Sequence, residues 1–600
     1  MSTSLRHNEY YDMQETLDWL YDRSLKRSTK GLRLYELITS RENILLAYRN
    51  IKANTGSKTK GTDGLTIDDY KIIDEQTFIE DIRSTLKNYK PNSIRRVEIP
   101  KPNGKLRPLG IPTMRDRLIQ QMFKQILEPI CEARFHKHSY GFRPNRATHH
   151  AMARSQHLIN NNWLHYVVDI DIQGFFDNVN HTKLLKQMYD IGIKDKRVLR
   201  IISKMLKAPI KGEGIPTKGT PQGGILSPLL SNIVLNELDW WISDQWESFK
   251  STNEYSCEDK KYRALKNTNL KEMYIVRYAD DFKIFTRYSK TATKTFHSVR
   301  NYLKDNLKLD ISNEKSQITN LRKRTSDFLG FKIKATKKKS KYVANTFIQD
   351  KKAEIIKTKL RSLIKEIQKS PTPKTVNAYN IYVMGIKNYY KYATHINKDF
   401  NKIAYQISRT LYNRLKSIGK YEVPIKPNGA YLKFNRGNSK TYKICDIYLH
   451  PLMDIQTENV MNFKPSICNY TKDGRDIIHN KLKPSVTIEI HKIAKTIYEH
   501  NSVELADNKL SKYSAQKGLC LVTKRFIGAH EVEFHHKKPV SLGGTDKYQN
   551  LVAIHRDVHK LIHATNTETI EKYRNKLQLN EEQLEKVNKF RKKCNLSNLN

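Results

Sequence analysis

Apolar residues recur at two spacings along the chain, and the two spacings predict different elements. A recurrence every three to four residues predicts helices that include the stripes at 118–130, 230–238 and 356–367. Short runs of apolar, mostly β-branched or aromatic residues predict strands at 95–100, 165–171, 273–277 and 282–285. A tight turn is expected at 101–105, after the first strand. The mixture predicts an α+β fold.

Changes in this pattern divide the chain into segments. Residues up to about 90 are helical and basic, whereas 332–341 is a lysine-rich run without a pattern, where we expect a domain boundary. Helical spacing resumes beyond that run, the chain becomes irregular and rich in Asn and Lys from about 450, and a last compact module begins near 511. A length of 600 residues also favours three or more packed units.

The charge of the chain indicates its class of partner. Lys and Arg total 108 against 61 Asp and Glu, and the net charge of +47 far exceeds what solubility requires. Such an excess is typical of proteins that neutralise phosphates along a nucleic acid, and the 33 Tyr supply rings that can stack on bases. A solvated basic surface without a partner is the alternative.

The cysteines and the hydropathy of the chain indicate where in the cell the protein is expected. The six cysteines are scattered and form no C-x-x-C pair, which is unlike a disulfide framework and favours a reducing interior. No apolar run approaches the roughly 18 residues of a membrane span, and no signal-peptide pattern is present. We therefore expect a soluble protein with no membrane partner, in the cytoplasm or nucleoid of a bacterium or in an organellar matrix.

Two adjacent carboxylates at a predicted hairpin tip carry the strongest chemical signal. Asp280 and Asp281 follow a Tyr-Ala pair between two strands, and Asp171 ends an earlier strand. Adjacent carboxylates repel each other, so they favour a shared cation, and two Mg²⁺ ions at such a cluster can support nucleotidyl transfer. Asp169 shares a strand face with Asp171, but the position at the strand end favours Asp171 as the ligand. A solvated turn is the alternative.

Further short motifs surround these carboxylates in a fixed order. They are R-P-L-G-I-P at 107–112, G-F-R-P at 141–144, D-I-Q-G-F-F-D at 171–177, G-T-P-Q-G-G at 219–224, L-K-L at 307–309 with E-K at 314–315, and F-L-G-F at 328–331. Together with Y-A-D-D at 278–281, they resemble the reverse transcriptases of group II introns. The resemblance implies a right-hand polymerase fold, with an N-terminal extension and the start of the fingers at 1–95 and with fingers and palm at 96–335.

The resemblance also implies roles for individual residues. It makes three carboxylates the ligands of two Mg²⁺ ions: Asp171, Asp280 and Asp281. Phe176 would crowd a ribose 2′-hydroxyl and so select deoxynucleotides, Gln222 would pack against the incoming nucleotide, and Arg107 would clamp its triphosphate. A core aromatic is the alternative for Phe176, and a surface charge is the alternative for Arg107.

Beyond the polymerase motifs, residues 345–445 lie where the family has an α-helical thumb, also called the maturase domain, and 450–510 where it has a DNA-binding region. A run rich in Tyr and Lys in the thumb is typical of RNA contacts. Four of its residues are the predicted RNA-binding residues: Lys387, Tyr389, Tyr390 and Lys391. Core packing is the alternative, and we expect it for half of the tyrosines in the run.

A histidine cluster defines the C-terminal module. His559 and His563 are four residues apart, so on a helix they share one face and can hold one cation. The adjacent His535 and His536 on a strand would point one ring towards that cation and leave the other to deprotonate a water. Asn550 could then hydrogen-bond the base and fix its orientation.

This spacing resembles the H-N-H nucleases, whose ββα-metal module we place at 511–600. The resemblance makes His535, His559 and His563 ligands of one divalent ion, and His536 the general base with Asn550 as its orienting partner. Scattered histidines on a surface or at a zinc site are the alternative.

Many H-N-H relatives frame the module with two Cys pairs that hold a structural zinc. Here Thr523 stands where Cys520 would have its partner, and His555 and Val558 stand at the downstream pair. Cys520 and His555 alone cannot complete a tetrahedral site, so we expect no structural zinc.

The resemblance implies a multifunctional intron-encoded protein. It would be an RNA-directed DNA polymerase, a splicing cofactor and a DNA endonuclease that supports intron mobility by target-primed reverse transcription. Its partners would be the intron RNA in a lariat ribonucleoprotein, target DNA and deoxynucleoside triphosphates, with a homodimer left open. The rivals are a non-enzymatic RNA-binding splicing factor, against which the retained carboxylates and histidines argue, and a polymerase of defence or repair without an intron partner.

Overall fold

The computed structural model describes residues 2–100, 106–478, 484–495 and 501–599. The turn predicted at 101–105 and parts of the DNA-binding region predicted at 450–510 lie outside the described residues. The chain forms two compact units. The first combines the chain up to Phe135, Gly174–Val234 and the chain from Pro465, and the second combines His136–Gln173 and Leu235–Lys464.

Strands form where the apolar runs predicted them, and the four predicted strands correspond to β1, β3, β4 and β5 within one residue at each end. The strands are β1 (Arg95–Pro100), β2 (Leu106–Ile111), β3 (Tyr166–Ile170), β4 (Met273–Tyr278), β5 (Asp281–Thr286), β6 (Gln317–Asn320), β7 (Ser326–Phe328), β8 (Phe331–Lys338), β9 (Lys341–Ile348), β10 (Lys420–Glu422), β11 (Thr441–Ile444), β12 (Ile447–Tyr448), β13 (Val532–His536) and β14 (Leu551–His555).

The three predicted apolar stripes lie on α7, α12 and α15. The helices are α1 (Ser2–Tyr10), α2 (Gln14–Leu25), α3 (Leu34–Ile38), α4 (Arg41–Lys52), α5 (Ile67–Tyr70), α6 (Glu75–Lys87), α7 (Met114–Glu132), α8 (Thr148–Asn162), α9 (Phe175–Asn178), α10 (His181–Ile191), α11 (Lys196–Leu206), α12 (Ser227–Asp244), α13 (Glu258–Lys266), α14 (Ser289–Tyr302), α15 (Asp350–Lys369), α16 (Pro373–Tyr390), α17 (Ile396–Leu415), α18 (Gly429–Phe434), α19 (Lys472–Ile478), α20 (Pro484–Lys495), α21 (Val503–Ala515), α22 (Arg556–His563), α23 (Thr567–Leu577) and α24 (Glu581–Lys593).

A four-stranded antiparallel sheet, in the order β4-β5-β3-β6, lies in the second unit. The strands β3, β4 and β5 are buried along almost their whole length, and α8 and α14 pack against them. In the pairing of β3 with β5, Ile170 lies opposite Phe282. The carboxyl end of β3 and the amino end of β5 therefore meet at the same end of the sheet.

The lysine-rich run at 332–341 is not featureless, and that expectation is wrong. β8 and β9 pair in antiparallel register from Phe331 opposite Ile348 to Lys338 opposite Lys341, and β7 pairs with the other edge of β8. Along β8 the apolar side chains turn inward and the lysines turn outward. Small inward residues such as Ala335 gave the alternation too little contrast to be recognised. The domain boundary expected nearby stays a prediction.

In the first unit, α2, α3 and α4 pack against the long helix α7, and β1 pairs with β2. The C-terminal part of the same unit contains the β13–β14 hairpin and α21–α24. A buried charge joins α21 to the N-terminal helices. Asp507, whose side chain is 2% exposed, accepts hydrogen bonds from Arg49 at 2.8 Å, Lys52 at 3.0 Å and the Tyr11 hydroxyl at 2.8 Å.

These contacts determine the protonation of Asp507. Burial alone would raise its pKa, but the charges of Arg49 and Lys52 outweigh burial and hold the pKa below its ordinary value. A buried carboxylate that stays charged therefore links the two ends of the chain within this unit.

Among the described residues, no helix is long and apolar enough to cross a membrane.

We predict that Asp507→Ala destabilises the first unit by roughly 3–5 kcal/mol, because it leaves Arg49 and Lys52 without their buried partner. Urea unfolding at pH 7 measures the effect. The matched control is Asp22→Ala, which breaks an exposed pair with Lys26 and should cost less than about 1 kcal/mol. Equal destabilisation by the two substitutions would contradict the prediction.

The lowered pKa of Asp507 also predicts that the stability of the first unit depends on pH. Because the folded pKa of Asp507 is lowered, its stabilisation is present above the unfolded pKa of about 3.9 and is lost as the pH falls through the folded value. The difference in stability between wild type and Asp507→Ala should therefore shrink at acidic pH.

Candidate active sites and relatives

The sheet of the second unit brings three carboxylates together. Asp171 follows directly after β3, Asp280 lies in the turn before β5, and Asp281 begins β5. Because Ile170 lies opposite Phe282, continuing the register places Asp171 opposite Asp281. Two strands and one turn thus direct these carboxylates to one end of the sheet.

One carboxylate of this cluster, Asp281, has a raised pKa. Asp281 is open to solvent on one side, but burial by the surrounding protein and, to a smaller extent, the neighbouring carboxylates raise its pKa to about 6, although the charge of Lys283 opposes the shift. Lys315 pairs with Asp171 at 3.1 Å, and both side chains are exposed. Carboxylate oxygens are the ligands that Mg²⁺ prefers, so these residues fit a divalent-cation site.

Asp169, the alternative ligand, is engaged inside the unit. Its carboxylate pairs with the buried Lys283 and accepts a hydrogen bond from the Ser326 hydroxyl at 2.9 Å. The Lys283 ammonium also lies 5.1 Å from the centre of the Phe328 ring. A carboxylate neutralised in this way has little charge left for a metal ion, which favours Asp171.

A buried ion pair supports the turn that carries Asp280 and Asp281. Arg277, 1% exposed, donates from Nε and Nη2 to the two carboxylate oxygens of Asp239 at 2.8 Å and 2.7 Å. Its Nη1 donates to the carbonyl of Ala279 at 2.8 Å. Ala279 has a φ of +59°, in the left-handed region that residues with a side chain rarely adopt. The guanidinium therefore stabilises an otherwise unfavourable turn.

The same turn is confined by a close backbone contact. The segment before Gly141 pairs with β4, since Arg277 N donates to His138 O at 3.0 Å and Tyr140 N donates to Arg277 O at 2.8 Å. A Cβ added to Gly141 would lie 2.3 Å from the nitrogen of Ala279, closer than any real Cβ contact. The G-F-R-P motif thus requires glycine at its first position.

The predicted nucleotide-binding residues lie in the first unit, around a glycine-rich loop. The Gly110 nitrogen on β2 donates to Gln222 O at 2.6 Å, and Thr220 N donates to Phe176 O at 2.6 Å. Gly223, with a φ of +113°, passes so close to β2 that a Cβ would lie 2.6 Å from the Gly110 oxygen. The loop at 219–224 is therefore anchored to both β2 and α9.

The side chains of these residues differ in exposure. Arg107 is exposed on β2, and the Gln222 amide lies 3.4 Å from the Asp177 carboxylate. Phe176 is half-buried, whereas the neighbouring Phe175 is the buried ring of the pair. Part of the Phe176 ring is thus accessible to a ligand.

Two of the four residues predicted to contact RNA are buried, and for these the prediction is wrong. Lys387 on α16 is 1% exposed, and its ammonium donates to Asn435 Oδ1 at 2.7 Å and to the Asp454 carbonyl. Burial lowers the pKa of Lys387 to about 7. Tyr390 is buried against Phe331. Tertiary packing of α16 turns both side chains into the unit, which composition could not indicate.

Other residues of the second unit present aromatic rings at the surface. Tyr389 is partly exposed, and Lys391 pairs with Glu458 at 2.7 Å. Two exposed rings lie on α17, where Tyr405 is 81% exposed and Tyr412 is also exposed. Sequence analysis missed both, although they lie seven residues apart on one helix, a spacing that places them on the same face.

The histidines of the C-terminal module lie on one strand and one helix. His535 and His536 end β13, which pairs with β14, and α22 carries His559 and His563. The ring centres of His559 and His563 lie 5.3 Å and 5.2 Å from that of His535. His563 Nε2 lies 3.3 Å from His535 Nδ1. Three imidazoles thus face one another.

Burial favours the neutral form of these rings. Desolvation, together with the neighbouring imidazoles, lowers the pKa of His535 to about 3 and that of His559 to about 4. A neutral imidazole offers the lone pair that a metal ion requires. The Nε2 atom of His535 is buried and has no hydrogen-bond partner among the described residues. These features fit a bound cation.

His536 contacts a carboxylate that sequence analysis missed. Its Nε2 lies 2.8 Å from Asp546 Oδ1, and the Ser502 hydroxyl donates to Asp546 Oδ2 at 2.6 Å. A neutral His536 that donates its Nε2 hydrogen to Asp546 keeps Nδ1 as a proton acceptor. Asp546 is thus a positioning residue for the candidate base.

The prediction that Asn550 orients this base is wrong. The Asn550 amide nitrogen donates to the carbonyls of Lys538 at 3.0 Å and Thr545 at 2.9 Å, and its oxygen accepts from Lys538 N at 2.9 Å. Asn550 instead closes the loop between the two strands of the hairpin. Sequence spacing could not distinguish a loop-closing amide from one that reaches the histidine.

Two cysteines lie beside histidines of the module, and the sequence did not indicate the position of one of them, Cys594. Cys594, at the end of α24, forms a group with His535 and His563 in which one candidate ligand atom of each lies within 4.8 Å of the others. Cys520 is buried, and its sulfur accepts a hydrogen bond from the His555 nitrogen at 3.4 Å.

Two known families match the segments that carry these candidate sites. The family described as "Reverse transcriptase (RNA-dependent DNA polymerase)" matches residues 99–333, and the "HNH endonuclease" family matches residues 520–565. The first match contains the three carboxylates, and the second contains the four histidines. The fold and the two sites therefore define a reverse transcriptase joined to an HNH endonuclease module.

Similarity to individual curated proteins identifies the family within this class. The chain is 31% identical over 455 residues to the group II intron-encoded protein LtrA of Lactococcus lactis subsp. cremoris, covering 64% of this chain and 74% of that protein. It is 33% identical over 342 residues to protein YkfC of Escherichia coli (strain K12), covering 53% of this chain and 88% of that protein.

A shorter match, 27% identical over 179 residues, is to the nuclear intron maturase 2, mitochondrial, of Arabidopsis thaliana, covering 22% of this chain and 24% of that protein. The chain belongs to the family of group II intron-encoded proteins. It is a multifunctional reverse transcriptase, maturase and endonuclease.

We predict that Gly141→Ala lowers the rate of primer extension by about 100-fold, because the added Cβ would displace the turn and a shift of about 1 Å in a reacting group can cost that factor. The matched control is Gly385→Ala on α16, where a Cβ meets no atom within 4 Å. The control should extend primers at the wild-type rate. Similar rates for the two variants would show that the turn tolerates displacement.

Proposed function

We propose that this chain adds deoxynucleotides to a DNA primer with RNA as the template. Asp171, Asp280 and Asp281 would hold two Mg²⁺ ions, which when bound would activate the primer 3′-hydroxyl and stabilise the leaving pyrophosphate. The observation that carries this proposal is the gathering of the three carboxylates at one end of the sheet, with the pKa of Asp281 raised to about 6.

We further propose that Arg107, Phe176 and Gln222 bind the incoming deoxynucleoside triphosphate. The exposed Arg107 offers forked donors to the phosphates. Gln222 lies on a loop whose backbone is anchored on both sides, so its side chain can bind without reorganising the loop. The accessible part of the Phe176 ring would exclude a ribose 2′-hydroxyl.

The divisions of the chain are part of the same proposal. We propose that 96–335 forms fingers and palm after an N-terminal extension and start of the fingers at 1–95, that 345–445 is the thumb, and that 450–510 contacts DNA. The partner RNA would be a group II intron, bound as a lariat ribonucleoprotein by a chain whose net charge is +47. Exposed rings such as Tyr405 and Tyr412 would stack on its unpaired bases.

We propose that the C-terminal module, 511–600, cuts one strand of the target DNA. His536, held by Asp546, would accept a proton from the attacking water at Nδ1. His535, His559 and His563 would hold a divalent ion, which when bound would stabilise negative charge on the scissile phosphate. The cut would leave a 3′-hydroxyl, from which the polymerase would copy the intron RNA into DNA. This sequence of reactions is target-primed reverse transcription.

We predict that Asp280→Ala abolishes primer extension on an RNA template with Mg²⁺ and deoxynucleotides, because it removes one carboxylate of the metal cluster. Incorporation of labelled nucleotide by purified full-length protein measures the effect. The matched control is Asp446→Ala, which removes an almost fully exposed turn carboxylate and should leave extension unchanged.

Either of two results would contradict the polymerase proposal. One is wild-type extension by Asp280→Ala, and the other is no extension by folded wild type supplied with its intron RNA. The second result would favour the non-enzymatic splicing factor.

We predict that His536→Ala abolishes cleavage of the target DNA strand but leaves primer extension intact, because the two reactions use different residues. Asp546→Asn should slow cleavage less severely, since it keeps the base and weakens only its orientation. The matched control is His530→Ala, which removes an exposed histidine of the same module. Cleavage by His536→Ala at the control rate would exclude this histidine as the base.

A further inference from the structure

Cys594 is a candidate metal ligand that lies outside the segment matched by the HNH family. The match ends at residue 565, whereas Cys594 follows the last turn of α24. Its sulfur and one ring nitrogen each of His535 and His563 lie within 4.8 Å of one another. A helix beyond the nuclease core thus places a thiol beside two imidazoles of the nuclease centre.

Arg591 holds α24 in this position. It is almost fully buried. Its Nη1 donates to three carbonyls at the C-terminal end of α22, those of Leu561 at 2.9 Å, Ile562 at 3.1 Å and Ala564 at 2.8 Å. Carbonyls at the end of a helix lack partners within that helix, so the guanidinium completes the C-terminus of α22. His563 belongs to that same helical turn, and Cys594 lies one turn after Arg591. The contact therefore sets the distance between the thiol and the imidazole.

The spacing of the two imidazoles suits a tetrahedral ion. His563 Nε2 lies 3.3 Å from His535 Nδ1. Two nitrogens bound to zinc at about 2.0–2.1 Å with a tetrahedral angle would lie about 3.3–3.4 Å apart. A thiolate at about 2.3 Å from the ion would lie about 3.6 Å from each nitrogen. A movement of at most about 1.2 Å would bring the sulfur from its limit of 4.8 Å to that distance.

The two nitrogens of His535 differ in their surroundings. His535 is 2% exposed, and its Nε2 has no hydrogen-bond partner among the described residues. The nitrogen that faces His563 is Nδ1, and a cation bound there would not pair with Nε2. The candidate site is therefore inferred from the grouping of His535 and His563 with Cys594.

We propose that Cys594 is a ligand of the ion in the nuclease centre, and that its thiolate makes this centre select zinc over magnesium. Magnesium requires oxygen ligands in octahedral geometry, whereas imidazole and thiolate favour zinc. The ligand group of His535, His563 and Cys594 contains no carboxylate. The inference rests on the proposed nuclease, and it gives the two active sites of this chain different metals.

The test is cobalt binding by the full-length protein, because Co²⁺ replaces zinc and a cobalt–thiolate bond gives a charge-transfer absorption in the near ultraviolet. Metal-free wild type titrated with Co²⁺ should develop this absorption, one equivalent of Zn²⁺ should remove it, and a large excess of Mg²⁺ should not. Cys594→Ser should lose the absorption and bind zinc at least about tenfold more weakly. The matched control is Cys445→Ser, which removes an exposed cysteine and should behave like wild type.

Three results would overturn the proposal. They are no thiolate absorption in wild type at saturating Co²⁺, an absorption retained in Cys594→Ser, and displacement of Co²⁺ by Mg²⁺. Strand cleavage is assayed separately on the same samples. A thiolate absorption without cleavage would contradict the nuclease function but support the ligand, whereas cleavage without the absorption would support the nuclease and exclude Cys594.

Discussion

Arg277 and Asp239 form a fully buried ion pair beneath the turn that carries Asp280 and Asp281. Removing one member of such a pair costs roughly 3–5 kcal/mol, because the other charge is left unpaired in the interior. Here the pair has a further consequence, since the same guanidinium donates to Ala279 and supports its left-handed backbone. The direction of both carboxylates therefore depends on this buried ion pair.

The acidic residues near the end of the sheet differ in how closely a cationic side chain approaches them. With a net charge of +47, most carboxylates can find a cationic neighbour, and Asp169 finds Lys283 inside the unit. Asp281 lies at the end of the same sheet, where burial and neighbouring acids outweigh the nearby cation and raise its pKa. Asp169 is thus engaged in the interior of the unit, whereas Asp281 lies at the end of the same sheet with a raised pKa.

The sequence predicted local features well and tertiary contacts poorly. The strands around Asp171 and Asp281 were predictable because a run of apolar residues is a property of adjacent residues, and the motifs indicated the candidate reacting groups. Lys387 could not be placed, because its burial depends on residues such as Asn435 that are distant along the chain. For the same reason the sequence did not indicate the position of Cys594. This residue lies 31 residues beyond His563 and approaches it through the packing of α24 on α22.

Both candidate active sites share one physical arrangement, in which a candidate reacting group is held by a partner outside its motif. Arg277 and Asp239 support the polymerase turn, and Asp546 holds His536. A degenerate relative could keep every motif residue and still lose activity by losing such a partner, so motifs alone separate an enzyme from a splicing factor only weakly. In this chain the supporting partners are present beside the motifs. That combination argues for catalysis more strongly than the motifs do by themselves.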